Sequence, residues 1–537
     1  MEKIYPIDTF GIKKIGVERW LEEYYLPVKG EECQNISTNI LDAYLFTLKQ
    51  FNDEVLYWLV VSNLRIVNDV FYYSLSILML SRLQNKGFKY IISKDKREIH
   101  KLLLNKDPLG MIDFNKYVND KVISLNYWEK TKNLSRLIKF NSSALKFSNW
   151  NIIKNISESY FLIGDRYSPE VYSFCTEKDI YPIKFPVMLF SGNRIGGSLT
   201  SNEAVLVSRF IQCFINSIRK IIPFISESDF EYLQNSLYEY FEYSMLFLKQ
   251  NINSLRHMRR LKRKTLLATS LGSPLNRLFC AAWRIMGGEV TGFTHGNSIC
   301  ANYPKSIVFL DVSIANNVVT TSSSQKIIYK HFIEKHTHEY IDCLKIAETI
   351  NLTKNHYRTI FTKFQKGCSV NKINKVMVVG FPKHFFFNAW LPEHNIFSQL
   401  HLEIQVIKVL KKAGFYVMYK PHPVTMNKVE DIYKEYVDEY IKEDFKKVYN
   451  LADCILYIDP NSTTFGHSLF TKKPLVLINV KGMLWYPRVF ELLNKRCCIV
   501  EAYPADGRIV FEENDVLNAI ENSLENINYD ILYEFAF

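Results

Sequence analysis

The spacing of apolar residues changes repeatedly along the chain, most cleanly in its second half. Lys375–Val379 (KVMVV) is a short run rich in β-branched residues that ends at Gly380 and Pro382, which predicts a strand. From Ile396 to Lys412 apolar residues return at helical spacing (Ile396, Leu400, Ile404, Ile407, Leu410) until Gly414, which predicts a helix and its stop. Phe415–Tyr419 then reads as a strand, Asp444–Ala452 as a short helix and Cys454–Ile458 as a strand. Thr463–Phe470 reads as a helix, Leu475–Val480 and Cys497–Val500 as strands, and Asn514–Leu524 as a closing helix. Strands apolar on both faces, alternating with helices, describe a parallel sheet covered on both sides.

The first half repeats the pattern less regularly. Leu56–Ser62 (LYWLVVS) predicts a strand, Asn68–Leu83 a helix, and Phe88–Ser93 and Phe185–Phe190 further strands. The loop SGNRIGG (191–197), which carries Arg194, precedes a helix opened by Thr200 with Glu203 three residues on, a capping box. Strand Thr265–Ala268, helix Leu275–Met286 and strand Glu289–Thr294 follow. Strand Asn317–Thr321 comes next, then the helix Gln325–Phe332 capped by Ser322–Ser324. The polar, basic stretch 362–374 reads as a linker. The expected organisation is a first Rossmann-like α/β domain over 1–365 with a helical insertion at about 204–255. A second Rossmann-like domain over 372–510 and a helical tail over 511–537 complete it.

Composition narrows the function classes. The chain has 537 residues, 47% of them hydrophobic and 23% charged, ordinary values for globular domains and too apolar for a disordered chain. The longest uncharged apolar run, Val70–Ser81, is shorter than the ~20 residues a spanning helix needs. The N-terminal MEKIYPIDTFGIKK has no apolar core of a signal peptide, and the ten cysteines include no CxxC pair. A cytoplasmic protein with reduced thiols and no zinc site is expected. Charge is uneven. Residues 372–537 hold 19 basic and 21 acidic side chains, a net of −2, so the first 371 residues carry 48 against 34, a net of +14. Six cations crowd into Arg256–Lys264 (RHMRRLKRK). A solvated helix face is the ordinary reading. An anionic membrane surface or an anionic acceptor is the functional one, and nucleic acid ranks last because no binding motif accompanies the run.

In open parallel sheets ligands gather at the carboxyl ends of strands, so the residues that follow strands are the place to look for chemistry. YKPHP (Tyr419–Pro423) follows one strand; its prolines stiffen a turn that presents Lys420 and His422 to an anionic oxygen. DPNSTTFGHSLFTKKP (Asp459–Pro474) follows another. It places Asn461, Ser462, Thr463 and Thr464 at a helix start, with unpaired N–H groups and hydroxyls as donors, and Gly466 allows close approach. Alone this is an ordinary Ser/Thr cap. Two such elements on neighbouring strands of one series would converge on a diphosphate or phosphodiester nucleotide. FTHGNS (Phe293–Ser298) follows a strand of the first domain. It puts His295 beside Gly296 and Asn297, where the imidazole could act as a general base; a structural histidine is the plain alternative.

The order HG after a strand, then KPHP, then a Ser/Thr cluster leading to KP resembles the GT-B glycosyltransferases of bacterial surface polysaccharide assembly. Among these are the capsule Kdo transferases, the CDP-glycerol glycerophosphotransferases and, more distantly, the HP-motif sialyltransferases. The resemblance covers about 265–485. It implies two Rossmann-like domains facing across a cleft and a cytidine-activated donor, such as a CMP-linked Kdo- or sialic-type sugar, with no metal or other cofactor. It further implies a phosphate site at Lys420, His422 and Ser462–Thr464, and a reacting centre at His295. Trp485-Tyr486-Pro487 corresponds to an FYP-like segment. Two departures stand out. His467 occupies the position of a Glu in the helix after the serine cluster, and no Glu-Asp-Gly motif is present, leaving Asp311, Asp165 and Glu289 as acidic strand-end candidates. Expected partners are the nucleotide-activated sugar and a lipid-linked or anionic glycan, met by the basic first domain with Arg194, Gly296 and Asn297 at the cleft, and the inner membrane, met peripherally through Arg256–Lys264. A polyol-phosphate transferase using CDP-glycerol or CDP-ribitol, and a catalytically inactive envelope-assembly scaffold, are the rival readings.

Overall fold

The computed structural model describes residues 4–6, 9–25, 27–91, 160–163, 169–178, 180, 182–184, 197–256, 263–269, 271–293, 313–320, 322–335, 348–351, 357–365, 370–380, 396–423, 426–460, 462–483 and 485–537. In its first half the elements run β1 (Ile4–Pro6), α1 (Thr9–Ile15), α2 (Val17–Glu23), α3 (Gly30–Lys49), α4 (Glu54–Ser62), α5 (Ile66–Asn85), β2 (Lys89–Ile91), β3 (Tyr160–Ile163), α6 (Pro169–Lys178) and β4 (Ile183–Lys184). Then come α7 (Ser201–Ile221), α8 (Glu227–Arg256), β5 (Thr265–Ala268), α9 (Pro274–Ile285), β6 (Glu289–Phe293), β7 (Asn317–Thr320), α10 (Ser323–Lys335), β8 (Glu348–Asn351) and α11 (Tyr357–Phe364). The second half runs β9 (Lys375–Val379), α12 (Ile396–Lys412), β10 (Tyr416–Lys420), α13 (Met426–Tyr433), β11 (Glu439–Tyr440), α14 (Phe445–Val448), β12 (Cys454–Tyr457) and α15 (Thr463–Leu469). β13 (Leu475–Val480), α16 (Pro487–Arg496), β14 (Cys498–Ala505), β15 (Arg508–Val510), α17 (Glu513–Asn522) and α18 (Asp530–Phe535) complete it.

Two α/β sheets dominate. Among the described residues one has the order β4-β3-β5-β6-β7-β8, all parallel, and the other β11-β10-β9-β12-β13-β14-β15, parallel except for the antiparallel edge pair β14–β15. In the second sheet the chain builds outward from β9 to β10 and β11, then crosses back to lay β12 against the other side of β9. That reversal of direction is the point at which an open parallel sheet leaves a crevice at its carboxyl edge. β12 and β13 are buried along their whole length, which is why they read as continuous apolar runs.

Leu56–Ser62 is a correction. It is helical, as α4, although its sequence reads as a strand. Asp53 caps it by accepting from the Leu56 N–H at 2.7 Å, and Leu56 and Trp58–Ser62 are all buried. A helix surrounded by core on every side needs no polar face, so period cannot separate it from a buried strand. The Thr200–Glu203 capping box is present in full and opens α7, which packs on α3 and α8. The apolar run Val70–Ser81 falls within α5. Among the described residues no helix is long and apolar enough to cross a membrane. The expected strand 185–190 and the loop with Arg194 lie outside the described residues. So does most of the basic run, apart from Arg256 at the end of α8, Arg263, and Lys264, whose ammonium stands over the Phe161 ring at 5.2 Å.

The first helices dock on the second sheet's layer. Trp20 and Tyr24 pack on Phe397 and His401 of α12, Lys408 pairs with Glu18 at 2.7 Å, and Lys13 pairs with Asp431 at 2.7 Å. Arg508 on β15 donates to the carbonyl oxygens of Tyr24 and Glu22. His401 is 4% exposed, and neither ring nitrogen has a hydrogen-bond partner in ordinary geometry. Burial, with the Arg508 and Lys408 charges adding to it and the Leu21 backbone opposing weakly, pushes the imidazole down to about 4.

A neutral folded histidine that ionises near 6.5 when unfolded lets the unfolded state bind the extra proton between those two values. Its contribution to stability is therefore intact above pH ~6.5 and lost as pH falls toward 4. The expected penalty is about 2 kcal/mol by pH 5. His401→Leu should erase that share, so that the urea midpoints of variant and wild type diverge progressively from pH 7 to pH 5. Parallel pH profiles would show that the imidazole is not the acid-sensitive group.

Candidate functional site

Val379, the last residue of β9, pairs with Lys420 on one side and with Tyr457 on the other. KPHP and the Asp459–Ser462 segment therefore leave the same edge of the sheet at the same level. They flank Gly380 and stand about 10 Å apart, two inter-strand spacings. This corrects one expectation: β10 and β12 are not neighbours, because β9 runs between them.

Lys420 is 3% exposed, and its ammonium donates to the Pro421 carbonyl at 2.9 Å. Burial lowers its pKa, while the Asp444 and Glu443 carboxylates oppose the shift. His422 is half-buried in the turn that follows. Asp459, two residues past the end of β12, is 2% exposed. Ser462 caps α15 by accepting from the Thr464 N–H at 3.2 Å, and its hydroxyl is also hydrogen-bonded to that of Thr464. Thr463 opens the helix and Gly466 is buried within it. His467, one turn in, is half-buried and stacks on Phe364 of α11, with centroids 6.2 Å apart and planes 24° apart. Burial and the Lys446 ammonium push it down to about 4, with Asp444 opposing, so the imidazole is neutral at pH 7. The Asp444 carboxylate thus acts on Lys420 from one motif and on His467 from the other.

Lys420 and His422 stand at the end of β10, and Ser462, Thr464 and His467 in the turn and helix after β12, at the same carboxyl edge of the sheet. Asn461, His295, Gly296, Asn297, Asp311 and Arg194 lie outside the described residues, as does Asp165. β6 ends at Phe293, two residues before His295. Glu289 is the first residue of β6, so it sits at the amino end, the edge opposite to where a strand-end acid belongs. Trp485 donates to Asn479 at 2.9 Å, which in turn donates to Glu501, and Tyr486 precedes Pro487 as the cap of α16.

Sequence reasoning missed the groups that hold this edge in place. Tyr457 donates to the Thr464 carbonyl at 3.0 Å and is hydrogen-bonded to Ser468, tying β12 to α15. The far end of α15 is closed by Arg496, fully buried, which donates to the carbonyls of Leu469 (3.1 Å), Ser468 (3.2 Å), Thr471 (2.7 Å) and Lys473 (3.2 Å). Gln365 adds a bond to the Phe470 carbonyl at 2.7 Å. Burial pulls the Arg496 guanidinium down to about 10, still well above neutrality, so a positive charge sits at the negative end of the helix. Nothing local marks these residues, because their partners are distant in the chain.

No protein-family model matches the chain, and no curated protein matches it. Solved structures with some likeness include UDP-N-acetylglucosamine 2-epimerase from Rickettsia bellii, with 14% identity and a TM-score of 0.31 over 54% of this chain and 71% of that one. The protein MT0777 matches at 16% identity and a TM-score of 0.19, over 28% of this chain and 96% of its own. At these scores neither bears on what the chain does.

Arg496→Met would keep most of the aliphatic stem while removing the guanidinium from four carbonyls, of which Ser468 and Thr471 keep bonds from Thr471 and Tyr529. The expected loss is about 3 kcal/mol or more. Chemical denaturation followed by tryptophan fluorescence measures it, and a loss below about 1 kcal/mol would mean that water replaces the guanidinium.

Proposed function

We infer that the chain is a transferase for a nucleotide-activated donor, with the donor's phosphate received at the β9–β10–β12 edge. The one observation that supports this is the double pairing of Val379, by which the KPHP turn and the Ser462–Thr464 turn start from the same edge beside the point where the strand order reverses. Lys420, His422, the hydroxyls and the backbone N–H groups would meet the negative charge that grows on the leaving phosphate. Fixed donors of this kind do part of what a divalent ion does elsewhere. For that, the Lys420 ammonium exchanges its Pro421 partner for a phosphate oxygen.

The donor that fits the resemblance is a CMP-linked Kdo- or sialic-type sugar in surface polysaccharide or glycolipid synthesis. An acceptor hydroxyl would arrive from the basic first half across a cleft between the two Rossmann-like units, with His295 as base. The ordered chemistry is a displacement. The acceptor oxygen bonds to the anomeric carbon, the bond to the CMP phosphate oxygen breaks, CMP carries off the electron pair, and the base takes the hydroxyl proton. The inactive-scaffold reading has one observation in its favour. His467, at the position where the family places a Glu, is neutral and engaged with Phe364.

The purified chain should release CMP from a CMP-sugar, or from CDP-glycerol if the polyol reading holds, in the presence of EDTA. His422→Ala should lower that rate by roughly 100-fold or more, the effect of removing one well-placed donor, while the unfolding midpoint stays within a few degrees. Equal turnover in the variant would remove the KPHP turn from the site. Absence of release together with no stabilisation by CMP or CDP would sink the transferase reading.

A further inference from the structure

The KPHP turn is bracketed by two tyrosines that share one carboxylate. Tyr419 stands directly before Lys420, and Tyr433 ends α13, the helix that follows the turn. Their rings are stacked, with centroids 3.9 Å apart and planes 17° apart, and both are buried. Both hydroxyls donate to the same oxygen of Glu403, Tyr419 at 2.8 Å and Tyr433 more closely. Glu403 is 0% exposed and comes from α12, the helix that connects β9 to β10. Tyr419 also closes over the end of β9. A Cβ on Gly380 would stand 2.2 Å from its hydroxyl, so only glycine fits, and the Gly380 N–H donates to the Lys420 carbonyl at 3.0 Å. Burial and the Glu403 charge hold both phenols well above their usual range, so each remains a donor.

As a device for stability this arrangement is poor. Burying a carboxylate costs several kcal/mol, and apolar residues of the same volume would fill the space at least as well. What a carboxylate adds is direction: it fixes two hydroxyls at one point, and so ties the end of β10, where the chain enters the turn, to the far end of α13, the helix that follows it. The apolar rings alone would permit sliding along their stacked faces.

We propose that Glu403 is the positioning residue of the Lys420–Pro423 turn, holding the strand that enters it through Tyr419 and the helix that follows it through Tyr433, so that Lys420 and His422 face the anion volume. The proposal rests on the reading of that turn as an anion site and adds the residue that sets its geometry.

Two measurements on the full chain separate the two ideas. Hydrogen exchange of the ligand-free protein tests the hold on the turn. In Glu403→Gln, peptides covering 420–433 should exchange at least ~10-fold faster, while those over β12 and β13 keep wild-type rates. Calorimetry with CMP tests the consequence: Kd should rise roughly tenfold in Glu403→Gln, the worth of one good hydrogen bond, with the thermal midpoint little changed. Tyr433→Phe removes one hydroxyl only, and should give a smaller change of the same kind even if Glu403→Gln fails to fold. Unchanged exchange at 420–433 in the variant that folds, or acceleration spread evenly through 375–480, overturns the proposal. Wild-type protein that binds neither CMP nor CDP, with the local exchange response intact, would defeat the anion-site reading and leave the role of Glu403 in place.

Discussion

Everything at the proposed site depends on one backbone register. Val379 is hydrogen-bonded into strands on both sides, opposite Lys420 and opposite Tyr457, and the three strands are parallel. A slip of one residue in either pairing would turn every side chain of that strand to the other face of the sheet. It would also carry its exit turn about 3.3 Å along the edge. Register is pinned here by full burial: β12 has no solvent-facing side, so any slip exchanges packed apolar side chains for voids and clashes.

The same edge illustrates how this chain closes buried helix ends. Arg496 supplies the carbonyls at the end of α15. In the first half Arg277, also fully buried, donates to the Val61 and Ser62 carbonyls at the end of α4, and to the Ser313 hydroxyl at 3.0 Å. A guanidinium offers five N–H donors in a rigid fork, so one side chain can satisfy several carbonyls that a glycine cap would have to meet through turn geometry. Desolvating the charge is offset by the helix dipole and by those bonds, and the packing around each arginine is thereby tied to one arrangement.

Much of the second half could be read directly from the sequence, because its strands are short, apolar on both faces and punctuated by Gly380, Gly414 and the prolines. The ends of β9, α12, β12 and β13 fall within a residue or two of their expected places. α4 was misread because a helix buried on all sides carries no periodic signature. β3, β4, β8 and β11, of two to four residues each, are too short for any period to show. At the site, the residue types that meet phosphate were legible because proline, serine and threonine have strong local preferences. Glu403, Tyr433 and Arg496 were not, since a buried carboxylate or guanidinium is explained only by partners that the fold brings from elsewhere. Even the sequence step between motifs misled: β10 and β12 are separated by the strand that precedes both.

The docking of the first helices on the second sheet's layer has a consequence for how the polypeptide is made. The Tyr24 carbonyl and the Arg508 guanidinium that holds it are separated by 484 positions. At ~5–20 residues per second a ribosome needs roughly half a minute to a minute and a half to cover that distance. For most of that interval, until Ile396–Lys412 has been made, Trp20 and Tyr24 have no α12 to cover them. The packing of α2 is therefore completed only after β15 has been made, so this contact forms late in the chain's folding.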